Sequence, residues 1–415
     1  MLRAPSSPLS VRALNAGLGL AEKAGFDPAS LELEDLVAVA AKQTGLDDWG
    51  DGNYREGLVR LLASLRREAK LTPLGRVIAR QDLLMAMGNR LQLLDHHRRY
   101  PEIAQGSIER PVFIIGMGRS GTTILHELLA LDEQFRVPQT WEVDQPFPPP
   151  GTATYQSDPR IAACDKTLAR TDWILPDFKR IHRMGATLPQ ECVRWTTGEF
   201  ASMIYWTTYD VPGYAKWLMN EADLAPVYRY HRRFLQLLQW QHPASQWVLK
   251  SPGHLWSMEQ LCREYPDARF IQTHRDPLQI LASLASLVTV LRSMASNAVD
   301  PQKIAREWAD WNARGLNASA RFRKEGKVAP ADIVDISFYD FMADPLAQVE
   351  TIYRQFGFDL TPATRDKMTQ YLQVHSAQQH GSHGYRFQDT ALDLAEERAR
   401  VQEYQELFDV GEEVK

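Results

Sequence analysis

The chain has 415 residues, 44% hydrophobic and 24% charged, with a formal net charge of −5. That is enough to bury a large core and to hold more than one small domain. With no extended Lys/Arg tract it is not expected to bind a nucleic-acid backbone. Its three cysteines, Cys164, Cys192 and Cys262, form no C-x-x-C pair and suit a reducing compartment.

Met1 to Pro8 lacks the apolar stretch of a secretory signal, and no run is long enough to span a membrane, so a soluble cytoplasmic protein is expected. Residues 9–24, 31–44 and 54–97 repeat apolar residues at helical spacing, the last with a break near Pro73. They define a helical region over residues 1–105 that carries no phosphate motif. It is expected to pack on the domain that follows, residues 106–415, or to shape its mouth, with dimerisation the alternative.

That domain opens on Pro111-Val-Phe-Ile-Ile-Gly-Met-Gly-Arg-Ser-Gly-Thr-Thr, an apolar strand running through a glycine-rich turn into a helix. Such a turn lets successive N–H groups and a helix N-terminus converge on an anion. Gly118, Arg119, Ser120, Gly121, Thr122 and Thr123 are the candidate phosphate-binding residues. An ATP or GTP loop would carry lysine where Thr122 stands, so a kinase or NTPase is the disfavoured alternative. A non-catalytic nucleotide-binding module is the other alternative. Farther on, Glu142 in Pro138-Gln-Thr-Trp-Glu and Glu191 in Leu188-Pro-Gln-Glu-Cys are carboxylates that could take a proton. Residues 171 to 247 are rich in Trp and Tyr, a composition that suits either core or the wall of an apolar acceptor pocket.

A second unit begins at Gln246. Short strands are predicted over 246–249 and 269–273, with a helix over 255–264 between them. Lys250 ends the first strand and His254 follows it by four residues. Asp276 and Pro277 are a helix N-cap and first-turn pair, which places Arg275 at a strand's C-terminal end and Ser283 two turns into the next helix. An arginine fork with a hydroxyl eight residues later suits a phosphate. Another strand is expected at Asp332 to Ser337, then Phe338-Tyr-Asp-Phe-Met-Ala-Asp-Pro, where Tyr339 is a candidate wall of the nucleotide pocket. His375, His380 and His383 lack companion ligands at a metal-site spacing, so no metal is expected.

The glycine loop resembles the 5′-phosphosulfate loop of sulfotransferases that use 3′-phosphoadenosine 5′-phosphosulfate (PAPS). The Arg275/Ser283 pair is similar to the 3′-phosphate site of the same family. Arg119, where cytosolic members carry lysine, is closer to the tyrosylprotein and heparan branch. The resemblance implies a three-layer, P-loop-like α/β fold with a parallel sheet flanked by helices. It further implies PAPS as donor with no metal required, and 3′-phosphoadenosine 5′-phosphate as product. Lys250 and Arg119 would assist transfer, and a general base would be drawn from Glu142, His254 and Glu191 in that order. His380 to Arg386 would be a loop over the nucleotide. The acceptor is expected to be a small or lipid-like alcohol or phenol ahead of a glycan, and a homo-oligomer is left open.

Overall fold

The computed structural model describes residues 2–25, 29–51, 54–176, 178, 183–376 and 386–415. Its centre is a five-stranded parallel sheet: β1 Val112–Ile115, β2 Phe135–Arg136, β3 Gln246–Lys250, β4 Arg269–His274 and β5 Ile333–Ser337, in the order β2-β3-β1-β4-β5. β1 therefore lies between β3 and β4, with Ile114 opposite Lys250 and Ile115 opposite Gln272. In such a sheet ligands bind outside the carboxyl ends of the strands, where connections leave in opposite directions.

The strands are short, and the central one, β1, is wholly apolar because both of its faces are covered. Side chains alternate along β1. Val112 and Ile114 join Leu125, Val248, Ile271 and Tyr353 on one face, and Phe113 and Ile115 join Leu249, Phe270 and Leu281 on the other. These are the two interfaces of a three-layer fold. The second face opens into the larger core, which also takes Leu58, Leu61, Leu65, Leu83, Met87 and Leu91 from the N-terminal helices.

Those helices run over Leu9–Lys23, Leu33–Thr44, Tyr54–Arg67 and Pro73–Arg99. The break before Pro73 has a local cause: Pro73 cannot continue a helix, and the Thr72 hydroxyl accepts from Gly75 N–H to cap the next one. Arg90, fully buried, ties this region to the rest. It pairs with Glu199 at 2.5 Å and donates to the carbonyls of Trp49 and Gly198. The aromatic stretch resolves toward core. Trp195, Tyr205, Trp206, Tyr209, Tyr214 and Trp217 are all buried, whereas Trp173 is half exposed.

The helix expected over 255–264 is split into a 3₁₀ turn, Pro252–Trp256, and a helix, Met258–Glu264. Ser251 and Ser257 are the cause. The Ser251 hydroxyl accepts from Gly253 N–H to start the turn, and Ser257 is held by the Tyr228 hydroxyl at 2.7 Å where it ends.

Burial holds His126, His231 and His254 neutral. It lowers His126 and His254 to about 3 and His231 well below its ordinary value. Below about pH 6.5 the unfolded chain takes up protons that the folded chain refuses, at up to about 1.4 kcal/mol per histidine per pH unit. Stability is therefore expected to fall as pH drops from about 6.5 toward 5. Thermal melts across that range should show the decline, and His126→Gln, which keeps a donor for Val248, should flatten it; a slope unchanged by that substitution would count against the assignment.

Candidate active site

The loop after β1 is shaped by crowding. Gly116 has φ 148°, and a Cβ there would lie 2.2 Å from the Thr273 hydroxyl on β4. Gly121, at φ 88°, immediately precedes the helix Thr122–Leu129. Between them Ser120 is buried. Its hydroxyl donates to the Met117 carbonyl at 2.5 Å and shares a 2.7 Å bond with Thr273, so Ser120 stitches the loop to β4. Arg119 lies at φ 75°, a conformation that costs a non-glycine residue about 1 kcal/mol. Two contacts hold it there. Its Nε–H donates to Ser283 Oγ at 2.9 Å, and its carbonyl accepts from Arg275 Nη1 at 2.9 Å.

Arg275 follows β4 and Asp276 caps the helix Pro277–Ser293, accepting from Leu278 N–H at 3.0 Å. The two neighbours do not pair with each other. The Asp276 carboxylate is taken up by Arg398 at 2.7 Å and by the N–H groups of Glu413 and Val414 at 2.7 and 3.0 Å. Burial alone would raise its pKa, but these donors outweigh burial and hold it below the ordinary carboxylate value. Arg275 instead stacks on Phe338, 3.9 Å from the ring centre, and turns its Nε and Nη2 to the two oxygens of Glu413 at 2.7 and 2.9 Å. Tyr339, 39% exposed, lies beside Glu413.

On the other side of β1, Lys250 projects from the end of β3 and is 2% exposed. Its Nζ donates to Glu191 Oε1 at 2.6 Å and to Thr123 Oγ1 at 3.3 Å. Lysine, carboxylate and the first turn of the phosphate helix thus meet at one point. Glu191 lies in an irregular segment whose neighbours are fixed. Gln190 N–H donates to the Pro138 carbonyl at 2.7 Å, and Cys192 N–H to the Lys250 carbonyl at 2.9 Å.

Glu142 and His254 sit differently. Glu142 is fully buried, paired with Arg136 at 2.8 Å, and accepts from Tyr155 at 2.9 Å and Gln139 N–H at 3.0 Å. The last bond closes the capping box of the helix Thr140–Asp144. His254 is buried beside Phe113 and bonded through Nδ1 to Tyr228.

These contacts join Gly118 to Thr123 with Lys250 on the β3 side of β1 and with Ser283 and Arg275 on the β4 side, all at the carboxyl ends of the strands. A glycine turn that opens a helix and an arginine fork are both groups that can take an anion. Residues 111–362, more than half of the chain, match the sulfotransferase family model. The chain belongs to the sulfotransferase family. It is an enzyme that transfers a sulfuryl group, and its fold agrees. It superposes on the crystal structure of sulfotransferase STF9 from Mycobacterium avium with a TM-score of 0.85, at 29% identity over 94% of this chain and 100% of that one. For sulfotransferase STF1 of Mycobacterium tuberculosis H37Rv the TM-score is 0.79, at 33% identity over 90% of this chain and 99% of that one. It is also 23% identical over 287 residues to the omega-hydroxy-beta-dihydromenaquinone-9 sulfotransferase Stf3 of Mycobacterium tuberculosis, covering 64% of this chain and 67% of that protein.

In this sulfotransferase the ligand atoms of Cys192, His231 and His254 lie within 4.8 Å of one another. A structural zinc site closes with four such ligands. No fourth Cys, His, Asp or Glu joins these three among the described residues. They sit in the core, with each imidazole already held by a tyrosine hydroxyl, Tyr265 for His231 and Tyr228 for His254. We read them as packing. The loop His380 to Tyr385 lies outside the described residues.

Nothing in the sequence pointed to Glu413, which stands in a short polar segment 138 residues from its partner Arg275. Removing one charge of a buried pair costs about 3 kcal/mol. Glu142→Gln is therefore expected to lower unfolding stability by roughly that amount, measured by urea denaturation, because Arg136 loses its counter-charge. Stability equal to wild type would show that the pair is not structural.

Proposed function

We propose that the enzyme moves the sulfuryl group of PAPS to the hydroxyl of a small or lipid-like alcohol or phenol, with Glu191 as general base. The observation that carries the donor is the Arg275 guanidinium, bonded to the carbonyl of Arg119 while its remaining N–H fork points to an anion. A nucleotide with phosphates at both 5′ and 3′ positions fits that spacing of charge, and the 3′-phosphate is what separates it from ATP. The residues present suit such a donor. Loop N–H groups and Thr122 and Thr123 would take the 5′ side, while Arg275 and Ser283 take the 3′ side and Tyr339 the pocket wall.

Transfer is in line. The acceptor oxygen forms a bond to sulfur as the bond from sulfur to the phosphate oxygen breaks, and the acceptor proton passes to Glu191. Lys250, which holds Glu191 at 2.6 Å, turns to the leaving oxygen as charge grows there. Arg119, exposed at the loop tip, would steady the sulfuryl oxygens. Glu191 is preferred to Glu142 and His254 because it alone contacts Lys250, whereas burial makes His254 a very weak base.

The lipid-like acceptor draws support from the relative named for a hydroxylated dihydromenaquinone. The aromatics Trp195, Tyr205, Trp206, Tyr209, Tyr214 and Trp217 are buried in the core. No described helix is long and apolar enough to cross a membrane. The helical region 1–105 acts, in this reading, as a buttress for the segment that carries Glu191.

Calorimetric titration should show 3′-phosphoadenosine 5′-phosphate binding far more tightly than AMP, with the advantage lost in Arg275→Ala. Equal binding of the two would sink the donor assignment. Turnover, assayed with a panel of ω-hydroxy isoprenoid quinols, phenols and charged oligosaccharides, should drop roughly 10²- to 10³-fold in Lys250→Ala and Glu191→Gln. Glu191→Gln should keep its affinity for the bisphosphate. Near-normal turnover in that variant would remove Glu191 as base, and sulfation confined to oligosaccharides would remove the lipid-like acceptor.

A further inference from the structure

The seat proposed for the donor's 3′-phosphate is filled by the chain itself. Both oxygens of Glu413 face the Arg275 fork, at 2.7 and 2.9 Å, in the bidentate geometry with which arginine takes a phosphate. Asp276, adjacent in sequence, cannot play this part because Arg398 and three backbone N–H groups saturate it. Among the described residues Arg275 therefore has one anionic partner, Glu413, and that partner comes from the distant segment Val410 to Lys415.

This segment is anchored independently of the Glu413 side chain. Val410 and Val414 are buried in the main core, Arg398 donates to the Val414 carbonyl at 2.7 Å, and the Asp276 carboxylate receives two successive N–H groups. The Glu413 side chain is only 25% exposed and ends on Arg275, with Tyr339 beside it. It can swing off the guanidinium without the backbone undocking.

We propose that Glu413 is a resident stand-in for the donor's 3′-phosphate. It keeps Arg275 aligned on the Arg119 carbonyl in the empty enzyme, and the incoming nucleotide displaces it. The inference rests on the donor reading above. A phosphate and a carboxylate cannot share one guanidinium fork, since two anions would then lie within a few ångström of each other. Binding must break the Arg275–Glu413 pair, and the observed affinity for the bisphosphate is reduced by whatever that pair is worth. The bond from Arg275 Nη1 to Arg119 uses a separate N–H, so the phosphate loop keeps its support throughout the exchange.

The test is calorimetric titration of wild type, Glu413→Gln and Glu413→Ala with 3′-phosphoadenosine 5′-phosphate and with AMP, each variant first checked by a thermal scan. Both variants should bind the bisphosphate about threefold to tenfold more tightly than wild type, the range expected for a partly exposed charged pair. AMP, which has nothing to place on Arg275, should bind all three proteins alike. Bisphosphate affinity that is unchanged or weaker in the folded variants overturns the stand-in role while leaving the donor reading intact. If even wild type fails to prefer the bisphosphate over AMP, the donor reading falls and this inference falls with it.

Discussion

The absence of room at Gly116 governs the rest of the site. Because a side chain there would collide with Thr273, the chain leaving β1 must curl tightly against β4. Ser120 then locks the curl through the same Thr273 hydroxyl. Two residues beyond Thr273, β4 delivers Arg275 to the Arg119 carbonyl, so one strand both backs the loop and supplies its second anchor. The parallel pairing of β1 with β4 thereby sets the distance between the loop and Arg275, the two places proposed for the donor's phosphates. Such preorganisation avoids reordering the loop during the reaction.

The opposite neighbour of β1, β3, ends on the buried cation Lys250. Lys250 is almost fully buried, and a buried ammonium without a partner would be strongly disfavoured. Glu191 and Thr123 satisfy it in the empty enzyme. A donor oxygen could replace the carboxylate as partner, and the released Glu191 would then accept a proton. The same economy recurs at Arg275, where Glu413 fills the guanidinium fork. On both sides of β1 a carboxylate neutralises a cation proposed to bind the donor.

How much of this could be read from the sequence depended on how local each interaction is. The strand, glycine turn and helix from Pro111 onward were legible because a few adjacent residues determine them. The Asp276-Pro277 helix start was legible for the same reason, and the structure places its cap on Leu278 as expected. Four of the five strands were legible as apolar runs and their parallel arrangement was implied by the family resemblance, whereas β2, only Phe135 and Arg136, was too short to show. Partnerships across the fold were not legible. The distance of Glu142 from the loop resembles that of a catalytic glutamate, yet its bonds to Arg136, Tyr155 and its own helix cap arise from packing that no spacing reveals. Composition could not divide the aromatics between core and pocket, since tryptophan and tyrosine serve both. Glu413 carried no signal at all, because its role depends on where one short polar segment docks.

The position of Glu142 nevertheless connects it to the chemistry proposed for Glu191. By closing the cap of the helix Thr140–Asp144 it orders a turn whose Thr140 and Trp141 N–H groups donate to the carbonyls of Leu188 and Ala186. Asp144 from the same helix binds Arg194 at 2.7 Å, and Gln190 N–H reaches Pro138 just before the helix. The irregular chain from Ala186 to Arg194 is thus laid against this helix on both sides of Glu191. From the far side Arg90 fastens Gly198 and Glu199. A carboxylate on a loop can hold a catalytic geometry only if its neighbours cannot move, and here buried charges supply that restraint. Glu142 and Arg90 belong to that supporting frame, and Glu191 is the carboxylate they keep in place beside Lys250.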